Sequence, residues 1–281
     1  MAFEIAIMGA ADVGRAVDWA AAEGWNPGLS DGIAFQAVDP AGFLVGRLDG
    51  EPVGCISVMR YGESFGFLGF YIMTPQARGQ GYGIRIWQAG MKHLAGRMVG
   101  LDGVPAQQEN YRKSGFRLAW RNVRYQGVAR SVHARAAGIG LVDARSLPFD
   151  RLAAYDRRFF REHREAFLSL WIALPGHVSL AALRDGALQG FGVIRPCRDG
   201  FKIGPLHAAD ANIATALAGA LAAHAAGKPV ALDVPEPNAQ AVALAQAMGL
   251  KPVFETARMY TGPDPEIDRA GLYGITTFEL G

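Results

Sequence analysis

The sequence predicts an α+β protein built from two related units in tandem, on three observations. Landmarks repeat at a near-constant offset, successive strands are joined by hairpin-length turns, and apolar residues at helical spacing fill the stretches between them. Asp49-Gly50…Gly54 is answered by Asp185-Gly186…Gly190, Val58-Met59-Arg60 by Val193-Ile194-Arg195, Gly115-Phe116 by Gly249-Leu250 and Tyr125-x-Gly127 by Tyr260-x-Gly262. The chain therefore divides into residues 1–127 and 128–281, joined near Gly127 to Gly138.

Taken in order, Phe3 to Met8 alternates like a strand, and Val13, Ala16, Val17 and Ala20 then mark one face of a helix that ends by Gly24. Trp25-Asn26-Pro27-Gly28 is a turn cluster, followed by a short helical stretch to Val38. Gly42 to Leu48 and Val53 to Arg60 read as a hairpin about Asp49-Gly50, and Phe65 to Met73 as the next strand. A helix from about Gly83 to Gly96, a strand from Met98 to Leu101, a helix near Ala106 to Ser114 and a strand from Phe116 to Gln126 complete the first unit. In the second unit, Phe160, Arg164, Phe167 and Trp171 have the spacing of one amphipathic helix with a basic outer face across 155–171.

The balance of 28 Lys+Arg against 26 Asp+Glu does not suggest a polyelectrolyte that binds nucleic acid. The basic excess lies in the first unit, where Arg112, Lys113, Arg117, Arg121, Arg124, Arg130 and Arg135 run without an acid between them, as a solvated strand face or an anion site. Cys55 and Cys197 cannot make a disulfide framework and have no metal-ligand spacing, so no metal is implied and a reducing cytoplasm is expected. No stretch reaches the roughly 20 apolar residues that span a bilayer, and Met-Ala-Phe-Glu is not a signal peptide. The six histidines show no pair at ligand spacing, and no Gly-x-Ser-x-Gly elbow is present.

What the two units do not share is more telling. Between its strand and its helix the first unit places Arg78-Gly79-Gln80-Gly81-Tyr82-Gly83; the corresponding 207–217 has no glycine. Glycines let peptide N–H groups converge on an anion, and the helix N-terminus adds positive potential, so a pyrophosphate is the natural guest, with Arg78 and Arg85 as countercharge. A dinucleotide is the rival guest, since Gly79-x-Gly81 opens a Gly-x-Gly-x-x-Gly and Asp102 follows at a ribose-binding distance; position 84, however, is Ile.

Arg78-x-x-Gly81-x-Gly83 matches the R/Q-x-x-G-x-G/A signature of the GNAT superfamily of N-acetyltransferases, and Tyr111-Arg112-Lys113-Ser114-Gly115-Phe116 resembles its second signature, Tyr-x-x-x-Gly-Phe. The resemblance covers about residues 3–127, with the second unit a degenerate copy of the scaffold. It implies two tandem GNAT-like domains, each a mixed, mostly antiparallel sheet flanked by helices, the first catalytic and the second not. It further implies acetyl-CoA as cosubstrate and transfer of an acetyl group directly to a primary amine of a small molecule or peptide. The backbone of Tyr71, Ile72 and Met73 would pair with the pantetheine arm, an N–H there, that of Met73, would polarise the thioester, and Arg78, Gly79, Gln80, Gly81, Tyr82 and Gly83 would hold the pyrophosphate. Tyr111 matches the tyrosine that protonates the departing thiolate.

An acceptor amine must lose a proton before it attacks, yet the strand 65–73 carries no acid. Glu63, Asp102 and Asp31 stand as candidate bases, and Trp25, Asn26 and Asp31 as the acceptor lip. The missing strand carboxylate also motivates a rival of another class, a non-catalytic acyl-CoA or ligand sensor; the dinucleotide reading would instead make the protein an NAD-dependent oxidoreductase. Neither nucleic acid nor membrane is expected as a partner, and the oligomeric state is left open.

Overall fold

A computed structural model describes residues 2–134 and 138–281; Arg135, the last of the basic run, lies outside them. The first unit runs β1 (Phe3–Ile7), α1 (Ala10–Ala22), α2 (Asp31–Gln36), β2 (Phe43–Leu48), β3 (Glu51–Tyr61), β4 (Phe65–Met73), α3 (Tyr82–His93), β5 (Met98–Gly103), α4 (Gln108–Lys113) and β6 (Arg117–Val128). The second runs β7 (Gly140–Asp143), α5 (Phe149–Asp156), α6 (Glu165–Trp171), β8 (Val178–Arg184), β9 (Ala187–Pro196), β10 (Phe201–Ala208), α7 (Ala211–Ala223), β11 (Pro229–Pro235), α8 (Ala239–Ala247), β12 (Lys251–Tyr260) and β13 (Leu272–Gly274). The repetition extends to turn geometry. Asp49 and Gly50 both have positive φ (50° and 89°), as do Asp185 and Gly186 (52° and 73°), the geometry of a type I′ hairpin turn, which Asp-Gly tolerates best.

All strands join one sheet in the order β1-β2-β3-β4-β5-β12-β6-β11-β10-β9-β8-β7, with β13 beside β10. It is antiparallel except where β4 meets β5 and β10 meets β11. The two units exchange their last long strand: β12 pairs with β5 of the first unit, and β6 pairs with β11 of the second. The two exchanged strands also pair with each other, from Lys251 opposite Gln126 to Tyr260 opposite Arg117. The linear division at residue 127 coincides with the end of β6, but in space that strand lies inside the second unit's half of the sheet.

On one face, α1 and α2 pack with α5 and α6 into a core common to both units, in which Phe35 stacks on Trp171 (6.1 Å) and Tyr61 meets Phe160 edge-on (4.8 Å). On the other face each unit keeps its own core, beneath α3 and α4 in the first and beneath α7 and α8 in the second. The single helix expected over 155–171 is instead two. Arg164 turns inward rather than outward: it is 7 % exposed, donates to both oxygens of Asp156 (2.6 and 2.8 Å) and lies over the Phe160 ring. A buried guanidinium needs that partner, and the chain leaves the helix to provide it.

Three members of the basic run have acidic partners. Arg112 pairs with Glu109, Arg121 with Glu236, and Arg124, only 2 % exposed, with Asp233 through two bonds of 2.6 and 2.8 Å. Arg195 of the second unit donates to Asp31 of the first (2.9 Å), both buried, so two ion pairs with little or no solvent stitch the units together.

Burial also predicts acid sensitivity. Desolvation holds His207 down at about 3 and His177 at about 4, whereas both titrate near 6.5 when unfolded. Between those limits the unfolded chain binds more protons, so stability falls as pH drops from 6.5 towards 4, by up to about 1.4 kcal/mol per pH unit for each histidine. Urea midpoints measured from pH 7 to pH 5 are expected to decline, and His207→Leu to decline less steeply; parallel profiles would contradict this account.

Candidate active site

The site begins with a fault in β4. Opposite β3, Ile72 faces Cys55 and Gly69 faces Ser57, so Phe70 and Tyr71 share the single partner Ile56. This is a bulge, and Phe70 takes φ 45° within it. β4 pairs with β5 only from Phe65 to Leu68; beyond that the two strands part, leaving the main chain from Gly69 to Met73 without a paired strand on that side among the described residues. The Met73 carbonyl, pointing away from β3, accepts from Nε of Arg78 (3.0 Å). In an extended strand the N–H and C=O of a residue leave by the same edge, so the Met73 N–H faces the opened gap.

That gap is a cavity of about 550 Å³. Its walls come from β4 (Leu68 to Met73), the end of β5 (Leu101 to Gly103), the glycine loop, Tyr111 of α4 and Glu23 and Trp25 after α1. The second unit supplies Phe254, Thr256, Phe278 and Glu279, none of which motif or spacing had singled out. They arrive through the strand exchange, which lays β12 beside β5, and through residues 275–281, which cross β4 at Gly69. A Cβ on Gly69 would collide with the Glu279 carbonyl, so Gly69→Ala is expected to cost about 1–3 kcal/mol and to loosen that crossing, read as earlier proteolysis of residues 275–281. An unchanged digestion rate would contradict the close crossing.

The glycine loop has the predicted form. Gly79 and Gly81 take φ of 75° and 82° with open space where a Cβ would stand, and Gly81 is the residue before α3 begins. Arg78 pairs with Glu23 at the cavity rim, while Gly83 lies so close to the Tyr71 hydroxyl that a Cβ would stand 2.9 Å from it. Gln80 bonds back to the Gln76 carbonyl (2.6 Å), Tyr82 stacks on Phe3 (4.6 Å), and Arg85 lies over the same ring, so these three side chains serve the loop's own packing.

Tyr111 is buried against Trp87 (5.7 Å, stacked) and Phe116, and Gly103 has no side chain because the Tyr111 ring occupies that space. Burial, reinforced by nearby Tyr71, pushes its phenol up to about 12.

The acid candidates separate. Asp102 reaches the cavity wall, but its oxygens accept from Arg258 (2.9 and 2.6 Å) and Asn122 (2.8 Å). Burial pushes its carboxyl up while Arg258 pulls it down. Glu63 is exposed in the turn before β4, at the end of that strand remote from Met73, and does not reach the cavity. Asp31 is buried beneath the lip, held by Arg195 and accepting from the Gly28 N–H (2.9 Å). Asn26 exchanges bonds of 2.9 Å with the Asp199 main chain instead of facing the cavity; of the expected lip only Trp25 lines it.

Residues 15–116 match the family described as Acetyltransferase (GNAT) family, and residues 152–274 match a second description, Acetyltransferase (GNAT) domain. A holothin acyltransferase from Pseudoalteromonas sp. (strain SANK 73390) is 34% identical over 266 residues, covering 94% of this chain and 90% of that protein. The chain belongs to the GNAT family of acyltransferases. Two GNAT domains stand in tandem in it. A putative acetyltransferase from Pyrococcus horikoshii shares the fold with a TM-score of 0.83 at 23% identity, covering 99% and 96% of the two chains. A tandem GNAT protein from the clavulanic acid biosynthesis pathway superposes with a TM-score of 0.66 at 18% identity, covering 94% and 100%. GNAT membership leaves the dinucleotide reading without support, and no helix among the described residues is long and apolar enough to cross a membrane.

Proposed function

We propose that this GNAT acyltransferase moves an acetyl group from acetyl-CoA directly to a primary amine of a small molecule or peptide, with the catalytic centre in residues 1–127. The observation that carries the proposal is the single cavity onto which the splayed β4 edge, the positive-φ glycine loop and Tyr111 all open. Residues 78–83 suit the pyrophosphate, since Gly79 and Gly81 leave their main chain uncovered at the start of α3. The open edge at Tyr71, Ile72 and Met73 suits the pantetheine amides, as an added strand would, and the Met73 N–H suits the thioester oxygen as charge develops there. Residues 128–281 would then serve as scaffold and as one wall of the acceptor end, with Trp25 as the opposite lip. Two buried free cysteines fit work in a reducing cytoplasm. The relative named as a holothin acyltransferase supports acyl transfer over ligand sensing.

In this reading Tyr111, protonated throughout the neutral range, donates to the leaving thiolate. Tyr111→Phe is expected to lower kcat about 100-fold with CoA affinity unchanged; unaltered turnover and pH profile would remove the role. The overall test is thiol release from acetyl-CoA in the presence of a panel of primary amines. Acceptor-dependent release with a matching N-acetyl product supports transfer, whereas CoA binding without release from any amine would favour the sensor reading.

A further inference from the structure

Three acidic residues line the cavity, and the carboxylates of two are already engaged: Glu23 with Arg78 at the rim, Asp102 with Arg258 and Asn122. The third is Glu279. It is 3 % exposed, and its Oε1 has no hydrogen-bond partner among the described residues. A buried, unsatisfied carboxylate oxygen is costly, and a catalytic role is one reason for a protein to retain it.

The segment that carries Glu279 is fixed in place. Leu280 accepts from the Tyr61 hydroxyl (3.0 Å) and donates to Thr277 Oγ1 (2.9 Å), and the Gly281 carbonyl accepts from Arg164 (3.3 Å). The Glu279 main chain therefore sits over Gly69, beside the bulge where β4 leaves β5, and the residue lines the cavity together with Phe70, Phe254, Phe278 and Trp25. The charged groups that act on it are Lys202 of β10, Asp31 of α2, Arg124 of β6 and Arg195 of β9. Burial and Asp31 favour its protonated form, and the three cations oppose them.

We propose that Glu279 is the general base of the reaction and the group that receives the acceptor ammonium, and that the acceptor is a primary amine with an apolar, aromatic-compatible body; this rests on the acyl-transfer reading above and adds one residue of the second unit to a catalytic centre otherwise built from residues 1–127. The ammonium gives one proton to the Glu279 carboxylate, and its freed electron pair forms the new bond to the thioester carbonyl carbon. The carbon–sulfur bond breaks, the thiolate takes a proton from Tyr111, and the amide nitrogen's surplus proton restores the phenol. The products are the N-acyl amine, CoA thiol and a protonated Glu279 that releases its proton to water. The net shift is oriented correctly for a base, because burial raises the proton affinity of Glu279 towards the working range.

The test compares wild-type, Glu279→Gln and Glu279→Asp proteins with acetyl-CoA and two probe acceptors, benzylamine, which is protonated at neutral pH, and hydroxylamine, which is not. Glu279→Gln is expected to lose at least about 100-fold in kcat with benzylamine, to keep CoA affinity, and to change little with hydroxylamine, which needs no base to free its electron pair. Glu279→Asp, with the carboxylate retained, is expected to recover part of the benzylamine rate and the acidic limb of the pH profile. Loss of both acceptors to the same extent, or loss of CoA binding, would show a structural role and overturn the proposal, as would a Glu279→Gln rate within about threefold of wild type on benzylamine. A wild-type protein that acetylates neither probe, nor any amine of the panel, would overturn the transfer reading itself.

Discussion

Gly81→Val combined with Arg78→Met is expected to abolish measurable CoA binding in a calorimetric titration while the protein still melts cooperatively. Gly81 holds φ 82° at the point where α3 begins. A β-branched residue pays roughly 1–2 kcal/mol to enter that region, and the peptide unit escapes the strain by rotating. Rotation turns an N–H out of the loop, and losing a charge-assisted bond to phosphate removes a further ~1.5–3 kcal/mol. Arg78→Met takes away the rim guanidinium and its pair with Glu23. Together these losses amount to roughly 100-fold or more in affinity. Nothing stands within 4 Å of a Cβ on Gly81 and Arg78 is half exposed, so the melting temperature should move by only a few degrees. CoA binding that survived both changes would refute the loop assignment.

Arg124→Met is expected to destabilise the protein by about 3–5 kcal/mol, enough at this size to lower the melting temperature by roughly 10 °C. Arg124 stands on β6 and Asp233 on β11, with almost no solvent around either. Arg124 also donates to the Trp25 carbonyl (2.7 Å) and lies over the Phe278 ring (4.8 Å). Removing the guanidinium strands a buried carboxylate, which costs far more than the pair contributes by existing. Arg124→Met with Asp233→Leu should therefore recover most of the loss. Equal melting temperatures for the single and double variants would show that the ion pair is not what holds these strands together.

Much of the fold can be read locally because its signals are local. Apolar spacing at Val13, Ala16, Val17 and Ala20 marks α1, and Asp-Gly pairs mark both hairpins. The glycine loop was equally plain, because positive φ at residues 79 and 81 leaves few alternatives to glycine. The strand exchange was not legible: alternation along β6 is the same whether its neighbour is β5 or β11. Asp31 looked like a free acid because its partner, Arg195, lies far along the chain. The remoteness of Glu63 could have been found from spacing alone, since a strand rising about 3.3 Å per residue carries Met73 some 30 Å away. Glu279 belongs to no motif and lies past the last family match at residue 274; only the crossing at Gly69 brings it to the cavity.

The exchanged strands also impose an order on synthesis. When β5 leaves the ribosome it can pair only with β4, and β6 has neither of its neighbours, since β11 and β12 are still to be translated. The nascent first unit must hold an unpaired sheet edge in solution until β11 and β12 have emerged, the condition under which edge-to-edge aggregation competes with folding. The GNAT scaffold here is thus a late-closing one, in which the cavity acquires its last wall only once residues 275–281 have been made.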